Sequence, residues 1–332
     1  MSLVKAAITA VGSYVPDDVL SNQDLEKMVE TTDEWITSRT GIKERRILKD
    51  KEKGSSYLGI KASENLINKS GIDPETIDMV IFATVTPDMP VAASANYLAT
   101  KIGAKLAFSY DLMAGCSGFL YGMSTASAYI ECGRYKRILL VGADKMSSII
   151  DYQDRTTCIL FGDGGGAALF EPNDKDYGLQ DEILRTDGNG RDFLKVDAGG
   201  SLMPASNNTI DERKHYISQD SRTLSKFGVA NMADVSAQIM KRNNLRTKNV
   251  DWLIADQSNK RIITATAARM NLDPDSILMN IHRYGNTSSA SLPLLLSDYE
   301  KELKKGDNII FATFGAGFTW GSIYLKWAYN SN

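Results

Sequence analysis

The sequence predicts an α/β protein made of two similar halves, and three observations carry that reading. Short runs of branched apolar residues alternate with helical patterns along most of the chain. Three segments of the first half have counterparts, in the same order, in the second. Ile77-Asp78-Met79-Val80-Ile81 parallels Val250-Asp251-Trp252-Leu253-Ile254, Gly115-Cys116 parallels Gly285-Asn286, and Phe161-Gly162-Asp163-Gly164 parallels Phe314-Gly315-Ala316-Gly317. Finally, 332 residues at 43% hydrophobic and 24% charged suit a folded chain with about two cores rather than a disordered one.

Taken in order, Ile77 to Val85 reads as strand, a helix begins near Ser94, and Leu106 to Leu112 reads as strand. A long helix follows Cys116, and Arg137 to Gly142 is strand again, its unbroken run Ile138 to Val141 being that of a strand covered on both faces. The uncharged stretch 112–130 has the length of a membrane span, yet serines, Thr125 and glycines interrupt it, so a helix enclosed by protein is expected. The second half repeats the rhythm: strand Val250 to Ala255, helix Asn259 to Met270, strand Ile277 to Ile281, helix Thr287 to Lys304, strand Asn308 to Phe314. The halves divide as 1–172 and 173–332.

A formal charge of −3 leaves no electrostatic footprint for nucleic acid or an anionic membrane. The apolar stretch before Ser13 is too short for a signal-peptide core. Three cysteines, Cys116, Cys132 and Cys158, form no disulfide framework and have no zinc-ligand spacing, so no metal is expected and the setting is reducing and cytoplasmic.

Cys116 stands in Ala114-Gly115-Cys116-Ser117-Gly118, at a turn that opens a helix. Amides and dipole at a helix N-terminus favour an anion, which predicts a lowered thiol pKa and an acyl-accepting nucleophile. A buried packing cysteine is the alternative that position alone leaves open. The flanking glycines permit the close backbone approach that an oxyanion hole requires. Asn286, at the equivalent turn of the other half, is expected to converge on the same cleft. Cys132 and Cys158 read as ordinary core or surface residues.

The motifs go further. Asp33-Glu34-Trp35-Ile36 with Arg39-Thr40-Gly41-Ile42-Lys43-Glu44-Arg45-Arg46, Ala114 to Phe119, Phe161 to Gly164, Tyr284-Gly285-Asn286-Thr287-Ser288-Ser289-Ala290-Ser291 and Phe314 to Gly321 resemble, in order, the motifs of β-ketoacyl-acyl carrier protein synthase III. The resemblance covers nearly the whole chain. It implies a thiolase-like fold, two duplicated α/β halves in a five-layered α-β-α-β-α arrangement, and a condensing acyltransferase of fatty acid biosynthesis. In that chemistry an acyl-coenzyme A acylates a cysteine, malonyl-carrier protein is decarboxylated, and the carbanion attacks the thioester. Cys116 matches the nucleophile, Asn286 the carbonyl-orienting asparagine, and the amides of Cys116 and Ala316 the oxyanion donors. Trp35, Arg39, Arg155 and Asn259 match coenzyme A-binding positions, and Lys260 and Arg261 match the dock for an acidic carrier protein. The resemblance also implies a homodimer with the loop Thr86 to Val91 near the partner's tunnel, and no tightly bound cofactor. Val91 falls where the family often places a larger residue, which predicts room for larger acyl groups.

The pattern breaks at one place above all. Where the family reads Pro-His-Gln-Ala-Asn, this chain reads Ala255-Asp256-Gln257-Ser258-Asn259, so Asp256 takes the histidine's position. An ionised carboxylate repels enolate charge that an imidazole would stabilise, whereas a buried, protonated one could donate in its place. Of the two histidines, His215 fits no motif, and His282 lies about 13 Å from Asn286 in extended chain. Gln219, Ser221 and Ser225 replace residues of the family's tunnel, Ser225 an aromatic one, and predict a reshaped passage. Two readings therefore stand beside condensation: an acyltransferase to a hydroxyl or amine with Asp256 as general base, and a non-catalytic acyl-CoA or carrier-protein binding subunit.

Overall fold

The computed structural model describes residues 4–331; residues 1–3 and 332, the outer ends of the two expected halves, lie outside it. Ten strands make two five-stranded sheets. The first contains β1 (Lys5–Tyr14), β2 (Met79–Ala83), β3 (Phe108–Leu112), β4 (Ile138–Asp144) and β5 (Gly164–Asn173), in the order β1-β5-β4-β2-β3. The second contains β6 (Gly178–Thr186), β7 (Trp252–Ala255), β8 (Ile277–Leu278), β9 (Asn308–Gly315) and β10 (Thr319–Lys326), in the order β8-β7-β9-β10-β6. Both sheets join three strands by parallel pairings and add two more by antiparallel ones, so that β5 in the first and β10 in the second run against the other four. In this correspondence β2 matches β7 and β4 matches β9, so the paired sequence segments occupy equivalent places.

Helices α2 (Ser55–Ser70) and α3 (Ser94–Ile102) cover the outer face of the first sheet. Helices α4 (Gly118–Glu131) and α7 (Ser291–Asp298) fill the space between the sheets, and α5 (Ser221–Arg242) and α6 (Lys260–Arg269) cover the second. Five layers result. Every residue of β2 and β4 is buried, which explains their apolar runs without alternation. Helix α4 is the expected enclosed helix: Phe119, Leu120, Met123, Ala126 and Ile130 are buried, and Gly122 lies directly against Leu140. Among the described residues no helix is long and apolar enough to cross a membrane. The helix α1 (Asp33–Thr40) is capped by Thr32, whose side chain accepts from the Trp35 amide.

Two elements differ from their sequence pattern. Strand β8 stops at Leu278 rather than Ile281 because the buried Gln257 side chain takes the Asn280 and Ile281 amides at 3.1 and 3.0 Å, capturing donors that a sheet ladder would use. Helix α7 begins at Ser291 rather than Thr287, since Ser288 has φ 52° and its amide donates to Asn286 Oδ1 at 2.8 Å. The chain between is a short turn of 3₁₀ helix, Ser288–Ala290.

Candidate active site

Cys116 sits on the turn between β3 and α4. Gly115 has φ +56°, a conformation that favours glycine, and a side-chain carbon placed on it would lie 2.7 Å from the Ala316 nitrogen. On the facing turn, a side-chain carbon on Gly315 would lie 2.6 Å from the Cys116 nitrogen. Backbone therefore meets backbone where Gly115-Cys116 and Gly315-Ala316 touch, and both expected oxyanion amides belong to this contact. Thr319 staples it, its hydroxyl donating to the carbonyls of Ala114 (2.9 Å) and Ala316 (3.0 Å), while Ser117 Oγ donates to the Thr319 carbonyl (3.2 Å).

Asn286 comes from the second half. Its amide donates to the Leu160 carbonyl (2.9 Å) and its carbonyl accepts from Gly162 N–H (3.0 Å), pinning it to the glycine motif of the first half. Because Asn286 Oδ1 is taken by Ser288 N–H, the amide NH2 is the end left to act. The Cys116 thiol lies 3.9 Å from Ser288 Oγ. Ser288 thus belongs to the site although sequence reasoning passed over it; a serine in a run Thr287-Ser288-Ser289 carries no signal of its own until the φ of 52° turns it inward.

Asp256 follows β7, its amide donating to the Ala312 carbonyl at 2.9 Å. It is fully buried, and neither carboxylate oxygen has a hydrogen-bond partner among the described residues. Desolvation pushes its pKa up to about 7, with Ser258 and Ser291 close enough only to moderate the rise. The electrostatics of the Cys116 thiol correct the expectation of a lowered pKa. Burial, and next the negative charge of Asp256, push the Cys116 thiol well above its ordinary pKa; Ser288 and Asn286 offset this only in part. A short 3₁₀ turn, Gly115–Ser117, precedes α4, so the thiol is enclosed rather than poised at an open helix end.

A cavity of about 290 Å³ leads from Trp35 and Arg39 at its mouth to Cys116 and Asn286. The guanidinium carbons of Arg39 and Arg155 lie 4.8 and 5.0 Å from the Trp35 ring centroid, cation–π contacts that fix the indole. Asn259 caps α6, accepting from Arg261 N–H at 2.8 Å, and lines the cavity together with Arg261. Lys260 is exposed beside it and packs on Gly41. Gln219, Ser221 and Ser225 line the wall, Gln219 Nε2 donating to Ser221 Oγ (2.9 Å) and the Thr156 carbonyl (3.1 Å). His282 does not line the cavity; it stays on a short helix, Ile281–Tyr284, its carbonyl accepting from Lys43 N–H. Among the described residues no cluster of metal-ligating side chains occurs.

A duplicated five-layer α/β fold whose two halves bring a cysteine turn and an asparagine turn onto one narrow cavity defines a thiolase-fold acyltransferase of the condensing type. The 3-oxoacyl-[acyl-carrier-protein] synthase III family matches residues 110–188, and the C-terminal domain of the same family matches residues 240–327. The chain is 52% identical over 332 residues to the β-ketoacyl-[acyl-carrier-protein] synthase III of Phocaeicola vulgatus, covering 100% of this chain and 99% of that one. It is 52% identical over 330 residues to synthase III 2 of Bacteroides thetaiotaomicron, covering 99% and 98%. The crystal structure of the 3-oxoacyl-[acyl-carrier-protein] synthase III of Aquifex aeolicus superposes with a TM-score of 0.89 at 35% identity, covering 97% of this chain and 100% of that one. The chain belongs to the 3-oxoacyl-[acyl-carrier-protein] synthase III family, acyltransferases of fatty acid biosynthesis.

Proposed function

We propose that this enzyme takes an acyl group from acyl-coenzyme A onto Cys116 and condenses it with malonyl-carrier protein, Asp256 doing what histidine does in the family pattern. The observation that supports this most is the convergence of Cys116, Asn286 and a buried, unpartnered Asp256 beside one cavity.

In the first half-reaction the thiol loses its proton as sulfur attacks the donor carbonyl. With its own pKa raised, Cys116 needs a base, and Asp256, titrating at about 7, is matched to that task at neutral pH. The proton passes on to the departing coenzyme A sulfur. In the second, Asp256 takes up a proton and, with the Asn286 amide, donates to the malonyl thioester oxygen while carbon dioxide leaves and enolate charge builds. The carbanion attacks the Cys116 thioester. The amides of Cys116 and Ala316 stabilise the resulting oxyanion, contacts worth ~3 kcal/mol each at comparable sites. Collapse releases the 3-oxoacyl product, and the Cys116 thiolate recovers a proton from Asp256.

Trp35, held between Arg39 and Arg155, suits the adenine of coenzyme A, with Asn259 along the pantetheine path. Exposed Lys260 and Arg261 at the start of α6 suit an acidic carrier protein. Each half, 1–172 and 173–332, contributes one side of the cleft. Two copies assemble through β3 in our reading, because that strand pairs on one side only and is bordered by exposed Leu106 and Met113. A reducing, cytoplasmic setting suits the three free thiols.

Incubation with a series of acyl-coenzyme A donors, with and without malonyl-carrier protein, tests the proposal by intact mass and carbon dioxide release. Acylation that disappears in Cys116→Ala, with carbon dioxide release on adding the second substrate, is the expected result. Acylation without carbon dioxide release would instead select a hydroxyl or amine acceptor, for which an ionised Asp256 is a suitable base. Absence of acylation by every donor would leave a binding subunit.

A further inference from the structure

Asp144, the last residue of β4, is fully buried, and among the described residues no cation pairs with it. Its burial is compensated by five donors instead. Oδ1 accepts from Thr84 Oγ1 (2.8 Å), Val85 N–H (2.7 Å), Thr86 N–H (3.1 Å) and Thr86 Oγ1 (2.9 Å), and Oδ2 accepts from Ser289 N–H (3.0 Å).

These donors come from both halves. Ser289 lies on the turn that carries Asn286 and Ser288, and its hydroxyl donates to the Gly115 carbonyl (3.3 Å), one residue before the nucleophile. Gly142, two residues before Asp144, presses on the Ser289 carbonyl so closely that a side-chain carbon there would overlap it. The asparagine turn of the second half is therefore clamped to the first at two adjacent points. On the other side, Thr84 to Thr86 lead from β2 toward Val91, which has φ 77° and is fully exposed. Catalysis needs Cys116 and Asn286, borne by different halves, at a fixed separation, and Asp144 sits where that separation is set.

We propose that Asp144 is a positioning residue for the acyl-transfer step, its carboxylate tying the Asn286–Ser289 turn and the Thr84–Thr86 loop to the nucleophile turn. This rests on the reading of Cys116 as the nucleophile. The charged groups facing the thiol are Asp256 and Asp144, and both raise its pKa. An amide in place of Asp144 removes one of those charges and turns an N–H toward donors on one side of the brace.

The test uses Asp144→Asn in the full-length enzyme with three readouts: the pH midpoint of iodoacetamide labelling at Cys116, single-turnover acylation by acetyl-coenzyme A, and thermal melting. The expected result is a labelling midpoint displaced to lower pH and acylation slowed about 10–100-fold with apparent acetyl-coenzyme A affinity kept, as for a sub-ångström to ångström misplacement of reacting groups. A melting shift with the acylation rate unmoved, wherever the labelling midpoint falls, would reduce Asp144 to a structural role and overturn the proposal. Should Asp144→Asn fail to fold, Thr84→Val removes a single donor from the same oxygen; acylation about fivefold slower is expected, and an unchanged rate overturns the proposal. Labelling needs no acyl donor, so a Cys116 that labels in an unaltered enzyme acylated by no acyl-coenzyme A marks a failure of the nucleophile reading, distinct from a failure of this proposal.

Discussion

Asp256 carries the divergence of this enzyme at the scale of one residue. A carboxyl with a pKa of about 7 serves both half-reactions only if it changes protonation state between them. Acylation of Cys116 is then expected to weaken as pH falls below about 7, and decarboxylation to weaken as pH rises above it, the two limbs sharing one midpoint. Stopped-flow acylation and carbon dioxide release measured separately from pH 5 to 9 would check this; two limbs that move in the same direction would sink it. Stability follows the same titration. The folded-state pKa is raised from 3.8 to about 7, so the stabilising contribution is full below about 3.8 and is lost as pH rises through about 7. That gap corresponds to at most about 4 kcal/mol, and Asp256→Asn is expected to melt several degrees higher than the unaltered enzyme at pH 8 with little difference at pH 4. The break in the histidine motif made Asp256 legible in the sequence, and flanking glycines did the same for Cys116 and Asn286. The direction of the thiol shift was not legible, because it comes first from burial and next from the charge of Asp256, which reaches Cys116 from the opposite half.

At the scale of elements, the site depends on turns more than on helices and strands. Gly315→Ala is expected to abolish most acylation, at least 100-fold, since the added carbon would meet the Cys116 nitrogen, which belongs to backbone and cannot swing aside. Intact-mass acylation measured beside far-ultraviolet circular dichroism checks it, and normal acylation in the folded variant would contradict the backbone contact. Such turns announce themselves by glycine in sequence. Element ends do not: β8 was read three residues too long because the capture of Asn280 and Ile281 amides by Gln257 is a contact between distant segments. The glycine motif Phe161 to Gly164 runs straight into β5, where Gly165 and Gly166 pack flat against Leu58 and Pro293 inside the sheet. At the start of α6, Lys260 and Arg261 give a cleaner separation of roles. Reversing both charges is expected to raise the apparent KM for malonyl-carrier protein about tenfold or more at low salt while acylation by acyl-coenzyme A stays within about threefold; equal losses for both substrates would argue that the helix end matters only to the fold.

For the whole molecule, the duplicated sheets leave their outer strands in different situations. In the second sheet β8 is only two residues long, a short edge of the kind that resists further pairing. In the first, β3 offers five residues with Phe108 exposed, beside Leu106, Met113 and, on the neighbouring loop, Met89 and Val91. A strand edge with free backbone donors and an apolar border is stable in water only if something covers it, and a second copy paired at the same strand would extend the sheet across a two-fold axis. Sedimentation at micromolar concentration is expected to give a dimer, and Ser109→Pro, which removes a donor turned to the free edge since the Phe108 amide and the Leu112 carbonyl turn inward to β2, to give a monomer with reduced activity. The loss of activity is expected if the loop Thr86 to Val91 lies near the partner's tunnel in the dimer, as the family resemblance implies. Val91 presents a small side chain there, so octanoyl and branched donors are expected to acylate Cys116 at rates comparable with or above acetyl, and Val91→Phe to suppress the octanoyl rate selectively. Equal rates for every donor before and after that substitution would show that the loop does not bound the acyl pocket.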